Sequence, residues 1–264
     1  MAWNALTRCA LLIGTAAALL AGEAAAAEVK IVAPELPPMM DRSGKGREAE
    51  IIGETLASCG HTATFSIRPF GRHWQDYSHD TSFDVVSTVP GGMDLPGFRS
   101  TDYIQYQNGA SILKSSGMSV ASLADLAGKR AVTFQGGKEI LPGLKDAAAN
   151  FADLQEKADQ LLHSNLLFAK RVDAVLGDGL VFAEYNRQLQ NKTASALSFD
   201  PNQEVVFTAI FPPSSYALVF RTEGLRDDFN RCYADLVESG RIDAINRNTV
   251  ETYRATVGNQ YLRY

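Results

Sequence analysis

From Glu28 onward, short apolar runs with strand-like alternation are separated by stretches with helical spacing, and that order leaves few folds open. Val29–Ala33 reads as a strand. Glu48–Ser58 reads as a helix stopped at Cys59-Gly60, where the glycine suits a left-handed cap. Thr62–Arg68 is a second strand and Phe83–Val89 a third, the latter apolar on both faces. A chain that alternates β-α-β-α-β builds a parallel sheet with helices on both sides.

The pattern then starts again. Ser122–Leu126 is a capped helical turn, Arg130–Phe134 a strand, Ala158–Lys170 a helix, Arg171–Leu176 a strand and Leu180–Leu189 a helix. Two α/β units in one chain predict two lobes with a cleft between them. After Glu204 come a strand (Val205–Phe211), a Pro212-Pro213 turn, a strand (Tyr216–Arg221) and a long helix starting near Asp227. That block is too short to fold alone, so it must complete one of the lobes.

The first 27 residues have a different character. Arg8 precedes the apolar run Ala10–Ala21, and Ala25-Ala26-Ala27 follows it, the order of a Sec-type signal peptide cleaved near Ala27. The run is shorter than the roughly 20 residues that span a bilayer. Cys9 lies before the run and is no lipid attachment site, so an exported, soluble, periplasmic protein is expected. The net charge of −5, with no basic cluster, argues against nucleic acid and anionic membranes as partners. Cys59 and Cys232 remain after processing, either bridged or as buried thiols.

Several stretches together resemble the family 3 extracellular solute-binding proteins, the periplasmic receptors of ABC importers. Ser122-Leu123-Ala124-Asp125-Leu126-Ala127-Gly128-Lys129 through Gly137 is similar to the segment that opens that family's second lobe. Arg171–Asp178 and the closing block Tyr216–Arg221 with Leu225–Ile242 agree in order and spacing, and Pro37-Pro38 and Gly46–Ile52 match near the start. The resemblance implies the α/β, two-lobed type II periplasmic-binding fold, each lobe a mostly parallel sheet flanked by helices. It implies lobe 1 from residues 28–111 and 210–264 and lobe 2 from residues 112–209. A two-strand hinge is expected around Ala110–Leu113 and Phe207–Ile210. The ligand then lies at the carboxyl ends of strands from both lobes.

The same resemblance nominates site residues. Asp178 matches the lobe 2 carboxylate that holds a ligand ammonium in amino-acid receptors; alone, it reads equally as the cap of the helix at Leu180. Gln135-Gly136-Gly137 falls at a strand-to-helix turn whose N–H groups meet a ligand carboxylate, or is simply a tight turn. The departure lies after the third strand. Amino-acid receptors continue there with an arginine that clamps the α-carboxylate, whereas Ser87–Leu95 contains none. Arg72 and Arg99 are the substitutes on offer. Among the aromatic residues expected at the cleft edge (Phe70, Trp74, Tyr77, Phe98, Tyr103 and Tyr106), Trp74 and Tyr103 are favoured as ligand contacts.

The sequence lacks Gly-x-Ser-x-Gly, His-Glu-x-x-His and Cys-x-x-Cys, and its four histidines are not at metal-ligand spacings. The expected function is therefore capture of a small molecule by a monomer without metal or cofactor, for delivery to an ABC permease in the inner membrane. Two alternatives stand beside it. One is a periplasmic enzyme on this fold, similar to cyclohexadienyl dehydratases, with Asp178, Glu50 or His73 as acid or base. The other is a receptor that reports to a membrane sensor.

Overall fold

The computed structural model describes residues 28–191 and 197–264, so the expected signal peptide lies outside the described residues. In chain order the elements are β1 (Glu28–Pro34), α1 (Arg47–Ser58), β2 (Thr62–Arg68), α2 (Arg72–His79), β3 (Val85–Pro90), β4 (Phe98–Tyr106) and β5 (Asn108–Leu113). There follow β6 (Arg130–Phe134), α3 (Gly137–Ile140), α4 (Leu144–Ala147), β7 (Asp153–Lys157), α5 (Gln160–Phe168), β8 (Ala174–Asp178) and α6 (Gly179–Gln190). The chain closes with β9 (Val205–Thr208), β10 (Ser214–Phe220), α7 (Glu223–Glu238) and α8 (Arg241–Val257).

These strands form two five-stranded mixed sheets, ordered β2-β1-β3-β10-β4 and β7-β6-β8-β5-β9. Within the first, β1 pairs in parallel with β2 and β3, while β10 runs antiparallel to β3 and β4. In the second, β6 pairs in parallel with β7 and β8, while β5 runs antiparallel to β8 and β9. Ile31, Val32, Val85 and Val86 are fully buried because helices cover both faces of their sheet. α1 packs Ile51, Ile52 and Leu56 onto that sheet, and its start is fixed by Gly46. With φ at 129°, Gly46 lies so close to the carbonyls of Pro38 and Met39 that a Cβ would collide with both. Arg47 and Glu48 donate their N–H groups to those same carbonyls at 3.0 and 2.8 Å.

The chain passes between the sheets twice. Gln107 alone separates β4 from β5, and residues 209–213 separate β9 from β10. The two passages are tied together, since Gln107 Nε2 donates to the Phe211 carbonyl at 2.8 Å. β5 and β9, the segments expected at the hinge, pair with each other from Ala110↔Thr208 to Leu113↔Val205, and both belong to the second sheet. On the first sheet's side, Cys59 at the end of α1 is bridged to Cys232 of α7, with Cα atoms 6.0 Å apart across 173 residues of sequence. The open question of the two cysteines is thus resolved as a disulfide. Among the described residues no helix is long and apolar enough to cross a membrane.

Candidate functional site

Residues at the carboxyl ends of β1 and β2 meet those at the carboxyl ends of β6 and β8 in a cleft, as expected for open α/β sheets. At its inner end the cleft narrows to a void of about 20 Å³. The chain just past β2 supplies Phe70, β6 supplies Phe134, the ends of β4 and β5 supply Tyr106 and Asn108, and Tyr216 of β10 and Asp178 of β8 are also in the walls. Phe70 and Phe134 meet edge to face across the lobes, ring centroids 5.5 Å apart. Tyr106 and Tyr216 pack at 4.7 Å. Beyond Phe70 and Gln160, which line both spaces, the cleft widens to an outer basin of about 840 Å³. Its rim is charged, but Arg42 is paired with Glu35 at 2.6 Å and Arg187 with Glu184 at 2.8 Å.

Asp178 is the most constrained of the expected site residues. One carboxylate oxygen accepts the N–H groups of Leu180 and Val181 at 2.9 and 3.0 Å, which caps α6. The other accepts the Gln107 N–H at 3.0 Å and the Tyr261 hydroxyl at 2.6 Å. Burial pushes the carboxyl above its ordinary value, opposed by the Tyr261 hydroxyl, the two capping N–H groups and nearby Arg47. With both oxygens already engaged by four donors, Asp178 has little left for a ligand ammonium, although it forms part of the wall.

Three further expected site residues line neither the void nor the basin. Tyr103 belongs to the lobe 1 core: its hydroxyl is bound to Glu48, with the Thr88 N–H donating to it at 3.3 Å, and its ring packs on Phe229. Arg72 is exposed, bound to Asp76 at 2.6 Å, and does not line the cleft. Arg99 donates to the carbonyls of Val89 and Pro90 at 3.0 and 3.1 Å, fastening β4 to the end of β3 instead of reaching a ligand. Neither arginine is turned toward the void.

Trp74 sits behind the cleft wall, its ring edge to face with Phe70 at 5.2 Å, so it supports a lining residue without lining the void itself. Its neighbour His73 is fully buried, and burial draws the imidazole pKa down to about 3. Gln135 is exposed, Gly136 adopts a left-handed φ of 83°, and Gly137 opens α3. A Cβ at Gly137 would run into the Thr133 hydroxyl, so close packing accounts for this glycine. None of the three lines the void or the basin. Glu50, considered as an acid or base, lies on α1 beside Arg241 at 3.0 Å, outside the cleft.

Two features around the cleft have no counterpart in the sequence patterns. Glu48, fully buried at the start of α1, accepts hydrogen bonds from Thr88 Oγ1 at 2.7 Å, the Tyr106 hydroxyl at 2.8 Å and the Tyr103 hydroxyl. It thereby fixes the Tyr106 ring in the cleft wall. Thr88 holds a φ of 56°, unusual for a β-branched residue, where the β3–β10 register shifts. The second feature is a link between lobes. Tyr253 of α8 donates to Glu184 of α6 at 2.7 Å, and Tyr261 donates to Asp178 near the hinge. Arg47, also buried, is turned toward Asn246, Tyr264 and the Gln105 carbonyl, at 2.7, 2.6 and 3.1 Å.

No protein-family model matches the sequence, and no curated protein does either. Solved structures do match. A histidine kinase sensor domain described as similar to periplasmic binding proteins superposes with a TM-score of 0.67 at 16% identity, covering 89% of this chain and 98% of that one. An ancestral arginine-binding protein bound to glutamine gives 0.66 at 19% identity, covering 84% and 96%. An ABC uptake transporter substrate-binding protein from Streptococcus pneumoniae with bound histidine gives 0.61 at 18%, covering 88% and 93%. The fold is that of the type II periplasmic binding proteins. In type II terms the β4–β5 and β9–β10 passages connect the lobes and the Phe70–Phe134 contact marks where they meet.

Proposed function

We propose that this chain is a periplasmic solute-binding protein that captures a small molecule between its lobes and delivers it to an ABC importer, working as a monomer. The observation that carries the reading is the cleft: carboxyl strand ends from two sheets converge on an aromatic void, and only two short passages of chain join the sheets there. Closure on a ligand needs this combination of a hinge and a site divided between two bodies. Residues 28–106 with 214–264 form the body carrying the first sheet, and residues 108–208 the other. The Cys59–Cys232 disulfide fits an oxidising compartment, and the leader-like first 27 residues fit export.

A second reading keeps the same capture step and changes the listener. Similarity to a sensor domain favours a receptor whose closure is read by a membrane partner. The enzyme alternative is weaker, because Asp178 is held by four donors, His73 is buried, and Glu50 stands outside the cleft. Native mass spectrometry of the protein purified from a periplasmic extract tests the proposal. The expected result is a bound small molecule, recovered chemically unchanged and released on unfolding. A protein with no bound molecule that also shows no compaction in solution scattering when offered periplasmic metabolites would refute it, and recovery of a converted molecule would favour the enzyme.

A further inference from the structure

The ligand class is written in what lines the inner cleft and what is already spoken for. Four rings converge there, from Phe70, Phe134, Tyr106 and Tyr216. No cationic side chain is among the lining residues of the void. The arginines considered as a clamp are committed elsewhere, Arg99 to two carbonyls and Arg72 to Asp76, while the cations of the adjoining basin are Arg42 and Arg187, each paired with a glutamate, and Lys45. The one charged group in the wall is a carboxylate, Asp178. An anion placed here would be desolvated with no cation in the wall beside it and would face a buried acid.

We infer that the inner cleft takes a flat ring bearing no negative charge, seated between Phe70 and Phe134; this rests on the solute-binding reading above. The dimensions set how far the lobes must part. The two rings now stand 5.5 Å apart in edge-to-face contact, their planes 75° apart. A flat guest between two ring faces needs two van der Waals layers, about 7 to 8 Å in all, so to admit it the lobes part by about 2 Å and one ring turns out of its edge-to-face pose. A ring replaces a ring-to-ring contact with two, and a positive charge on it gains further from the aromatic faces. Tyr106 keeps its place during this exchange because Glu48 holds its hydroxyl from behind at 2.8 Å. The ligand's polar groups then face the outer basin, which begins at Gln160.

Indole, benzamidine and benzoate make a test set of similar shape that is neutral, cationic and anionic. Binding is read by calorimetry and by Trp74 emission, since Trp74 touches Phe70 and Trp3, the other tryptophan, lies in the expected leader. Indole or benzamidine should bind at least about 100-fold more tightly than benzoate. Phe134→Leu should weaken the favoured probe about tenfold, with its urea midpoint confirming that the variant is folded. Benzoate binding as tightly as the other two, or a favoured probe indifferent to Phe134→Leu, would overturn the inference. A carboxylate-bearing molecule co-purifying in the cleft and lost from Phe134→Leu would overturn the ligand class while leaving capture intact. Absence of both probe binding and any co-purified molecule would remove the capture reading itself.

Discussion

His163 offers a clean way to weigh burial in this molecule. It lies on α5, 2% exposed, with its Nε2 donating to the Lys157 carbonyl at 3.0 Å, and burial lowers its pKa from 6.5 to about 4. Unfolding returns the imidazole to its ordinary value. Between roughly pH 6.5 and 4 the unfolded chain therefore carries a proton that the native state refuses, and stability falls as the pH falls. Above pH 6.5 the contribution is intact. Lowering the pH from about 7.5 to about 5 should cost about 2 kcal/mol through this one group. His73, lowered to about 3, adds a similar amount, so the pair removes about 4 kcal/mol from a typical total of 5 to 15. Asp178 acts in the opposite direction, because its raised pKa lets the native state take up a proton before the unfolded chain does. A difference measurement cancels that effect. His163→Gln keeps a donor for the Lys157 carbonyl but cannot titrate. Urea unfolding of both proteins from pH 7.5 to 5 should show the wild type losing about 2 kcal/mol more than the variant. Parallel stability curves would refute the burial argument.

Reduction of Cys59–Cys232, or Cys232→Ser, should lower unfolding stability by about 2 to 5 kcal/mol because the bridge closes a long loop; an unchanged urea midpoint would mean that the termini of the first lobe are held without it. Asp178→Ala should destabilise the ligand-free protein by about 2 to 5 kcal/mol, since it strips a cap and leaves buried N–H groups unpaired. An unaltered ligand-free melting temperature would instead mark Asp178 as a group reserved for ligand. Tyr253→Phe removes the bond to Glu184 on the cleft wall, worth about 1.5 to 3 kcal/mol as a bond to a charged group, and should expand the ligand-free protein in solution scattering. Identical scattering profiles would show that this link does not hold the lobes together.

The order of elements was legible because each central strand is buried on both faces and so cannot hide its composition. Val85 and Val86 announce β3, and Arg130–Phe134 announces β6. What escaped lies at the margins. β7 reads Asp-Leu-Gln-Glu-Lys and β4 carries Arg99 and Asp102, because both are edge strands with one side toward solvent. α2, Arg-His-Trp-Gln-Asp-Tyr-Ser-His, is short and mostly polar, and only His73, Trp74 and Tyr77 are buried. Its pattern is too brief for a helical period to stand out. The block after Asp227 reads as one long helix but is two, broken at Gly240, which adopts a left-handed φ of 76°.

The site was less legible than the fold, and Asp178 shows why. Its sequence context, a carboxylate at the end of a strand and immediately before a helix, is the same whether it meets a ligand or caps α6. The deciding partner, Tyr261, lies 83 residues away, in a C-terminal tail with no motif of its own. Tyr103 and Tyr106 differ by three positions on β4 and both reach Glu48, yet only Tyr106 also presents its ring to the cleft. That difference comes from the register of β4 against β10, which shifts between Tyr216 and Ala217 and sets which residues arrive at the passage to β5. Phe134 reads as one more apolar strand residue until the second sheet is placed opposite Phe70. Residue type could suggest which groups have the chemistry to bind, but which groups remain free depends on contacts between distant segments. In this chain those contacts occupy the obvious charges and leave the rings.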